Sequence, residues 1–168
     1  MDRLRNFGFL LTVVSRKYLL RFEQRAKQIS LSLPTCKVLA NIQRNEGINQ
    51  TKLTELTSLD QMAVVRILDR LEADGLVERR PDPADRRARC LYLTAKAAPT
   101  LNEIWRLAAQ TRAEVFAGIA QNERDVFLDV LTRLAHNLDQ LDDLTNNTVN
   151  SDANQNKPIR AQTKQRSR

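Results

Sequence analysis

One stretch, Leu53 to Thr94, constrains the fold more than any other. In it an amphipathic helix with clear ends runs directly into a basic, proline-containing hairpin. Asp60 is placed to cap the helix, its carboxylate accepting the free N–H groups of the first turn. Gly75 closes it, free to take the left-handed conformation after the last turn. Between them Val64, Ile67, Leu68 and Leu71 recur at i, i+3, i+4 and i+7, one face of a helix, and that face must bury. Gln61, Met62, Ala63, Val65, Arg66, Asp69 and Arg70 form the opposite face. Two readings of that face stay open. Met62 and Val65 pack on the preceding helix, or they meet thymine methyls in a DNA major groove while arginine meets guanine O6 and N7.

The hairpin reads as a strand over 76–80 and a partner over 89–93, where Leu91 and Leu93 alternate with Cys90 and Tyr92. Between them 81–87 is too rich in proline for a helix or a central strand. Five arginines, Arg79, Arg80, Arg86, Arg87 and Arg89, crowd this hairpin against Asp82 and Asp85. Such a loop on its own reads as a solvated charged turn. Directly after a helix with apolar groups on its open face, it suits a narrow, negative minor groove flanked by phosphates. Upstream, Leu53 and Leu56 point inward from a helix capped by Asn49 or Thr51. The tight turn Ser58-Leu59-Asp60 then makes a helix-turn-helix, and Ile48 can add a third strand to the wing.

These residues carry a family resemblance. L-E-x-x-G-L-V-E-R at Leu71 to Arg79, D-x-R at Asp85 to Arg87 and L-T at Leu93 and Thr94 resemble the MarR family of bacterial transcription regulators. Val64 to Glu72, Thr111 to Ile119 and Leu134 to Leu141 resemble its SlyA branch, and the likeness extends over about residues 4–145. It implies a two-fold homodimer that binds pseudo-palindromic double-stranded DNA and is released by small aromatic acids. The DNA-contacting candidates are then Gln61, Met62, Ala63, Val65, Arg66 and Arg70 on the helix, and Arg79, Arg80, Asp85, Arg86, Arg87 and Arg89 in the wing. By the same resemblance Arg16 stands where a bound aromatic carboxylate is paired; its alternative is a salt bridge at the surface or between subunits. Cys36 stands where the family usually has an aromatic residue lining the ligand pocket, so the pocket is differently shaped. A redox role for Cys36 is the competing reading, against a buried inert thiol there and at Cys90.

The rest of the chain reads as helical scaffold. A first helix from about Asp2 to Ile29 carries Leu4, Phe7, Leu11, Val14, Tyr18 and Phe22, with Leu10, Val13 and Leu20 widening the stripe. A second, over 34–45, has Pro34 in its first turn. A third, from 94 or 95 to about Ile119, carries Leu101, Ile104, Trp105, Ala108, Val115 and Ile119, with a bend or late start at Pro99. A fourth, from Asn122 to about Leu144, carries Phe127, Val130, Leu131, Leu134, Leu138 and Leu141. These stripes exceed what one small domain can hide, which calls for a homodimer through both termini. The expected fold is therefore mainly α. An N-terminal dimerisation helix spans 1–32, a winged helix-turn-helix DNA-binding region 33–94, C-terminal dimerisation helices 95–145 and a disordered basic tail 146–168.

Charge and composition limit the alternatives. The formal net charge is +7, but residues 151–168 hold +4 of it, so DNA binding must rest on local clusters. The tail either adds salt-sensitive DNA affinity or is merely solvated. Two cysteines far apart give no disulfide framework and fit a reducing bacterial cytoplasm, on the nucleoid. No apolar run approaches a membrane span, and the apolar start reads as helix rather than signal peptide. One histidine, His136, and two cysteines offer no standard zinc spacing, and no cofactor is expected. Neither a glycine-rich phosphate loop, HExxH nor a triad-like set is present, so an enzyme is not expected. An architectural DNA binder driven by the tail and a winged helix used only for protein assembly remain as alternatives.

Overall fold

The computed structural model describes residues 3–82 and 89–155, with side chains over 4–82 and 89–141. Among the described residues six α-helices and a small antiparallel sheet follow in the order α1 (Phe7–Ala26), α2 (Leu33–Arg44), β1 (Ile48–Asn49), α3 (Gln50–Thr57), α4 (Gln61–Ala73), β2 (Val77–Pro81), β3 (Arg89–Leu93), α5 (Ala98–Val115) and α6 (Gln121–Gln155). The chain divides into two compact units, 1–117 and 118–168.

Within the first unit one continuous core joins the C-terminal part of α1 (Phe22, Ala26) to α2 (Val38, Leu39, Ile42), α3 (Leu53), α4 (Val64, Leu68, Leu71), the sheet and α5 (Leu101, Ile104, Leu107). This core crosses both boundaries expected at 32/33 and 94/95. The sheet order is β1-β3-β2. Val77 pairs with Leu93, Arg79 with Leu91 and Pro81 with Arg89, while Ile48 pairs with Leu91 on the other side. Ile48 thus supplies the third strand. Pro81, expected in the loop, is instead the last residue of β2. It is accommodated because β2 is an edge strand and a missing N–H at its end costs little.

Helix ends follow local chemistry. Ser32 caps α2, its Oγ accepting from Thr35 N at 3.2 Å, with Pro34 in the first turn. The single helix expected over 2–29 is α1 flanked by 3-10 turns at Arg3–Asn6 and Lys27–Ile29, and Ser30 in the left-handed region (φ 56°) ends it. Pro99 gives α5 a late start, after a 3-10 turn at Ala95–Ala97. At its other end α5 stops at Val115, short of the expected Ile119. Gly118 adopts φ +77°, which breaks the helix although Val115 and Ile119 keep its apolar period. Both of those side chains are exposed, so the expected stripe ends at Ala108 and Thr111 instead.

The second unit is dominated by α6, which continues to Gln155, beyond the expected end near Leu144 and into the segment expected to be disordered. Extending an existing helix adds one hydrogen bond per residue without a new nucleus, which lets polar residues prolong it. Residues 156–168 of the expected tail lie outside the described residues. The terminal helices expose apolar side chains. Leu4, Phe7, Leu10, Leu11 and Val14 are exposed at the start of the chain, and Val126, Phe127, Val130, Leu138 and Leu141 along α6.

Candidate nucleic-acid interface

The interface is built on α3 and α4. Asn49 caps α3, its Oδ1 accepting from Lys52 N at 2.8 Å. Thr57 is buried at the far end and donates to Leu53 O at 2.8 Å, so its hydroxyl is satisfied inside the core. Ser58 then turns the chain in the left-handed conformation (φ 51°). Asp60 caps α4 as the sequence predicts, Oδ1 accepting from Met62 N at 2.9 Å and Ala63 N at 3.2 Å.

The C-terminus of α4 is held as firmly. Gly75 (φ +68°) donates to Glu72 O and Leu76 N to Leu71 O, the paired bonds of a Schellman closure. Thr94 Oγ1 donates to Gly75 O at 2.6 Å and Lys96 Nζ to Asp74 O at 2.8 Å, tying this end to the segment after β3. With both ends fixed, α4 buries Val64, Leu68 and Leu71 and half-buries Ile67. Its outer face presents Gln61, Met62, Arg66, Asp69 and Arg70 to solvent, with Ala63 and Val65 half-buried. Met62 is 58% exposed, so it does not pack away on the preceding helix. Arg66 has no carboxylate partner among the described residues, and Arg70 lies 3.9 Å from Asp74, a loose and highly exposed pair.

The wing arginines divide. Arg79 lies on the face of β2 that also carries Val77, only 21% of its side chain is exposed, and it grips two carboxylates of α4. Nη2 donates to Asp69 Oδ1 at 2.6 Å and Nη1 to Glu72 Oε2. Partial burial works against its charge, but the two carboxylates outweigh that and raise its pKa above the ordinary value. Arg80 points to the other face, pairs with Glu78 and stacks 4.4 Å over the Tyr92 ring. The Tyr92 hydroxyl in turn approaches Gly47 so closely that a Cβ there would sit 3.1 Å away, at φ +81°. Arg89 is exposed, and Asp85, Arg86 and Arg87 lie outside the described residues.

Two groups of polar residues near α4 are absent from the DNA-contact candidates of the sequence. Gln50, Thr51 and Thr54 of α3 surround a recess of about 150 Å³ together with Gln61. Ser30, Ser32 and Thr35 line a cavity of about 370 Å³ with Arg66 and Arg70. Their available signal was the run of short polar side chains around each helix N-cap, which by itself says only where a helix begins.

Away from α4, Arg16 is exposed on α1 beside an open groove of about 510 Å³ lined by Ser15, Leu19, Glu23 and Leu33, and it has no ion-pair partner among the described residues. Cys36 is not in that lining. It is buried in the core, and desolvation pushes its pKa up to about 11, which suppresses the reactive thiolate. Cys90 is buried as well, with its thiol pKa raised by burial and by Asp82, whose Oδ2 lies 3.4 Å from its Sγ. His136 is exposed on α6 with Gln140 Nε2 at 3.0 Å. Among the described residues no helix is long and apolar enough to cross a membrane.

A short helix, a tight turn, a capped second helix with an open face and an adjoining three-stranded wing define a winged helix-turn-helix. The model of the MarR family matches residues 31–88. The crystal structure of the transcriptional regulator PA3341 is 32% identical over 80% of this chain and 98% of its own, with a TM-score of 0.70. A cysteine-to-serine mutant of MarR from E. coli, complexed with operator DNA, is 25% identical over 80% of this chain and 99% of its own, at a TM-score of 0.62. Bordetella bronchiseptica BpsR, described with the regulation of its DNA binding by 6-hydroxynicotinic acid, is 25% identical over 77% of this chain and 98% of its own, at 0.64. The chain belongs to the MarR family, whose members are winged-helix transcription regulators.

Proposed function

We propose that this regulator acts as a homodimer on a pseudo-palindromic operator. Two copies join through the open apolar faces of the terminal helices and present two α4 helices to major-groove segments about one turn of DNA apart. Gln61, Met62, Ala63 and Val65 face base edges, Arg66 and Arg70 reach guanines or phosphates, and Arg80, Asp85, Arg86, Arg87 and Arg89 are the wing residues offered to the minor groove. The observation that carries this reading is the outer face of α4. Exposed Met62, and Arg66 with no carboxylate partner among the described residues, stand on a helix fixed at both ends. The operator complex of the E. coli relative supports it.

A small aromatic carboxylate is the proposed effector, with Arg16 as its charge-assisted partner. The Arg16 guanidinium, with no ion-pair partner among the described residues, beside a groove lined in part by Leu19 and Leu33 supports this, as does the aromatic acid in the regulation of BpsR. The deciding experiment is selection from random duplex DNA with the full-length protein at near-physiological salt. A pseudo-palindrome with half-site centres about ten base pairs apart is expected. AT-richness alone, lost on removing residues 151–168, would replace this reading by tail-driven architectural binding. Addition of an aromatic carboxylate should weaken binding in the parent protein and leave an Arg16→Ala variant unaffected.

A further inference from the structure

The reading face of α4 carries a difficulty for any DNA-binding role: Asp69 and Glu72 stand on the same helix as Arg66 and Arg70. Two carboxylates held beside a polyanion repel it and subtract from whatever the arginines contribute. Arg79 answers both at once. Asp69 and Glu72 are three residues apart, so they share a side of α4. Strand alternation puts Arg79 on the α4-facing side of β2, next to buried Val77. Its fork reaches one carboxylate with each terminal nitrogen, which a lysine cannot do.

We infer that Arg79 is a positioning residue: a buckle that neutralises Asp69 and Glu72 and fixes the wing against the reading helix, without itself contacting DNA. The inference rests on the DNA-reading role proposed above, but it also has a consequence in the free protein. Arg79 is the one described arginine that spans from the wing to α4, since Arg80 is engaged with Glu78 and Tyr92 on the opposite face. Loosening it frees the edge strand β2, and with it the arginines of the hairpin.

The test compares Arg79→Met, Arg79→Lys, the Asp69→Asn/Glu72→Gln pair and the triple variant Asp69→Asn/Glu72→Gln/Arg79→Met. Readouts are binding to the selected operator across a salt series and amide hydrogen exchange of Val77–Arg80 in DNA-free protein, with thermal melts as the fold control. Arg79→Met should weaken operator binding on the order of tenfold. Arg79→Lys should weaken it too, despite keeping the charge, and both should speed exchange in β2. Removing the two carboxylates as well should recover most of the lost affinity, because the repulsion goes with them.

A direct phosphate contact gives the reverse pattern: lysine substitutes well, the triple variant stays weak and the salt dependence drops by about one phosphate. That result overturns the inference, as does unchanged binding and exchange in Arg79→Met. If Arg79→Met does not fold, Arg79→Lys decides: weaker operator binding with faster exchange in β2 supports the buckle, and binding and exchange like the parent's overturn it. If the parent protein selects no operator, the DNA-reading proposal fails by itself. Exchange in β2 then still separates a buckle from an idle surface pair.

Discussion

Helix α4 and the terminal helices carry the same kind of pattern and have opposite fates. In α4 the apolar stripe is buried against α2, α3 and the sheet, and the mixed face is left to solvent. In α1 and α6 apolar side chains of the stripe itself are exposed, Phe7, Leu11 and Val14 on one and Val130 and Leu138 on the other. Periodicity announces that a face must be covered but does not say by what. Where the chain covers it, the opposite face is free for a ligand. Where the chain does not, the apolar side chains stay exposed, and the homodimer proposed above would cover them.

The sharpest way to break this contrast is to compare stability at matched sites. Leu68 is fully buried, so Leu68→Ala should lower unfolding stability by about 2–5 kcal/mol, read from urea denaturation. Met62→Ala, one face away on the same helix, should leave stability within about 0.5 kcal/mol and act on DNA affinity instead. Equal losses at both would mean that the two faces of α4 are not distinct.

For the terminal helices the corresponding substitution is Leu11→Asp with Leu138→Asp. Neither side chain belongs to the core, so each unit should keep its helicity by circular dichroism. Sedimentation should show a monomer, and operator affinity should fall on the order of a hundredfold, as the second half-site contact is lost. A dimer that survives both changes would assign these faces to something other than a second copy.

Much of this division was legible. The cap at Asp60 and the closing Gly75 are local chemistry and stand where the sequence places them, and of the two candidates Asn49 and Thr51 it is Asn49 that caps α3. Strand β3 was legible from alternation, and Ile48 from its place after the Gly47 turn. The end of α5 was not, because Val115 and Ile119 continue the apolar period past the residue that breaks the helix. The role of Arg79 was obscured for another reason. Counting charge groups all five hairpin arginines together, whereas alternation along β2 already separates Arg79, on the side of Val77, from Arg80. Side matters more than charge there, and only the positions of Asp69 and Glu72 reveal it.

The reading face offers a smaller effect. Arg66→Ala should cost about 1–3 kcal/mol of operator affinity with no change in melting temperature. Arg87→Ala, in the hairpin loop, should cost a similar amount. If the Arg66 loss is uniform across operator variants and the salt slope falls by about one, Arg66 binds phosphate; if discrimination at one base pair relaxes, it reads that base. Unchanged affinity in either variant would remove that residue from the interface.

The smallest effect concerns how α1, with exposed apolar side chains along its N-terminal part, is fastened to its own core. Glu114 of α5 accepts from Arg21 Nε at 2.9 Å and is also paired with Arg25, both on α1. The hydrogen bonds of Arg21 and then Arg25 hold its pKa at about 2, below the ordinary 4.5. A carboxylate with a depressed folded pKa contributes stability that is fully present above its unfolded value and is lost as pH falls through the folded one. The window is therefore from pH 4.5 down to about 2. The pair is half exposed and screened by solvent, so the contribution is modest. Glu114→Gln should flatten that acid limb of the stability curve and leave the curve above pH 5 nearly parallel to the parent's. The same acid slope in both proteins would mean that α1 is held by Phe22 and Ala26 alone, and that its attachment, like that of α4, is a matter of buried apolar surface.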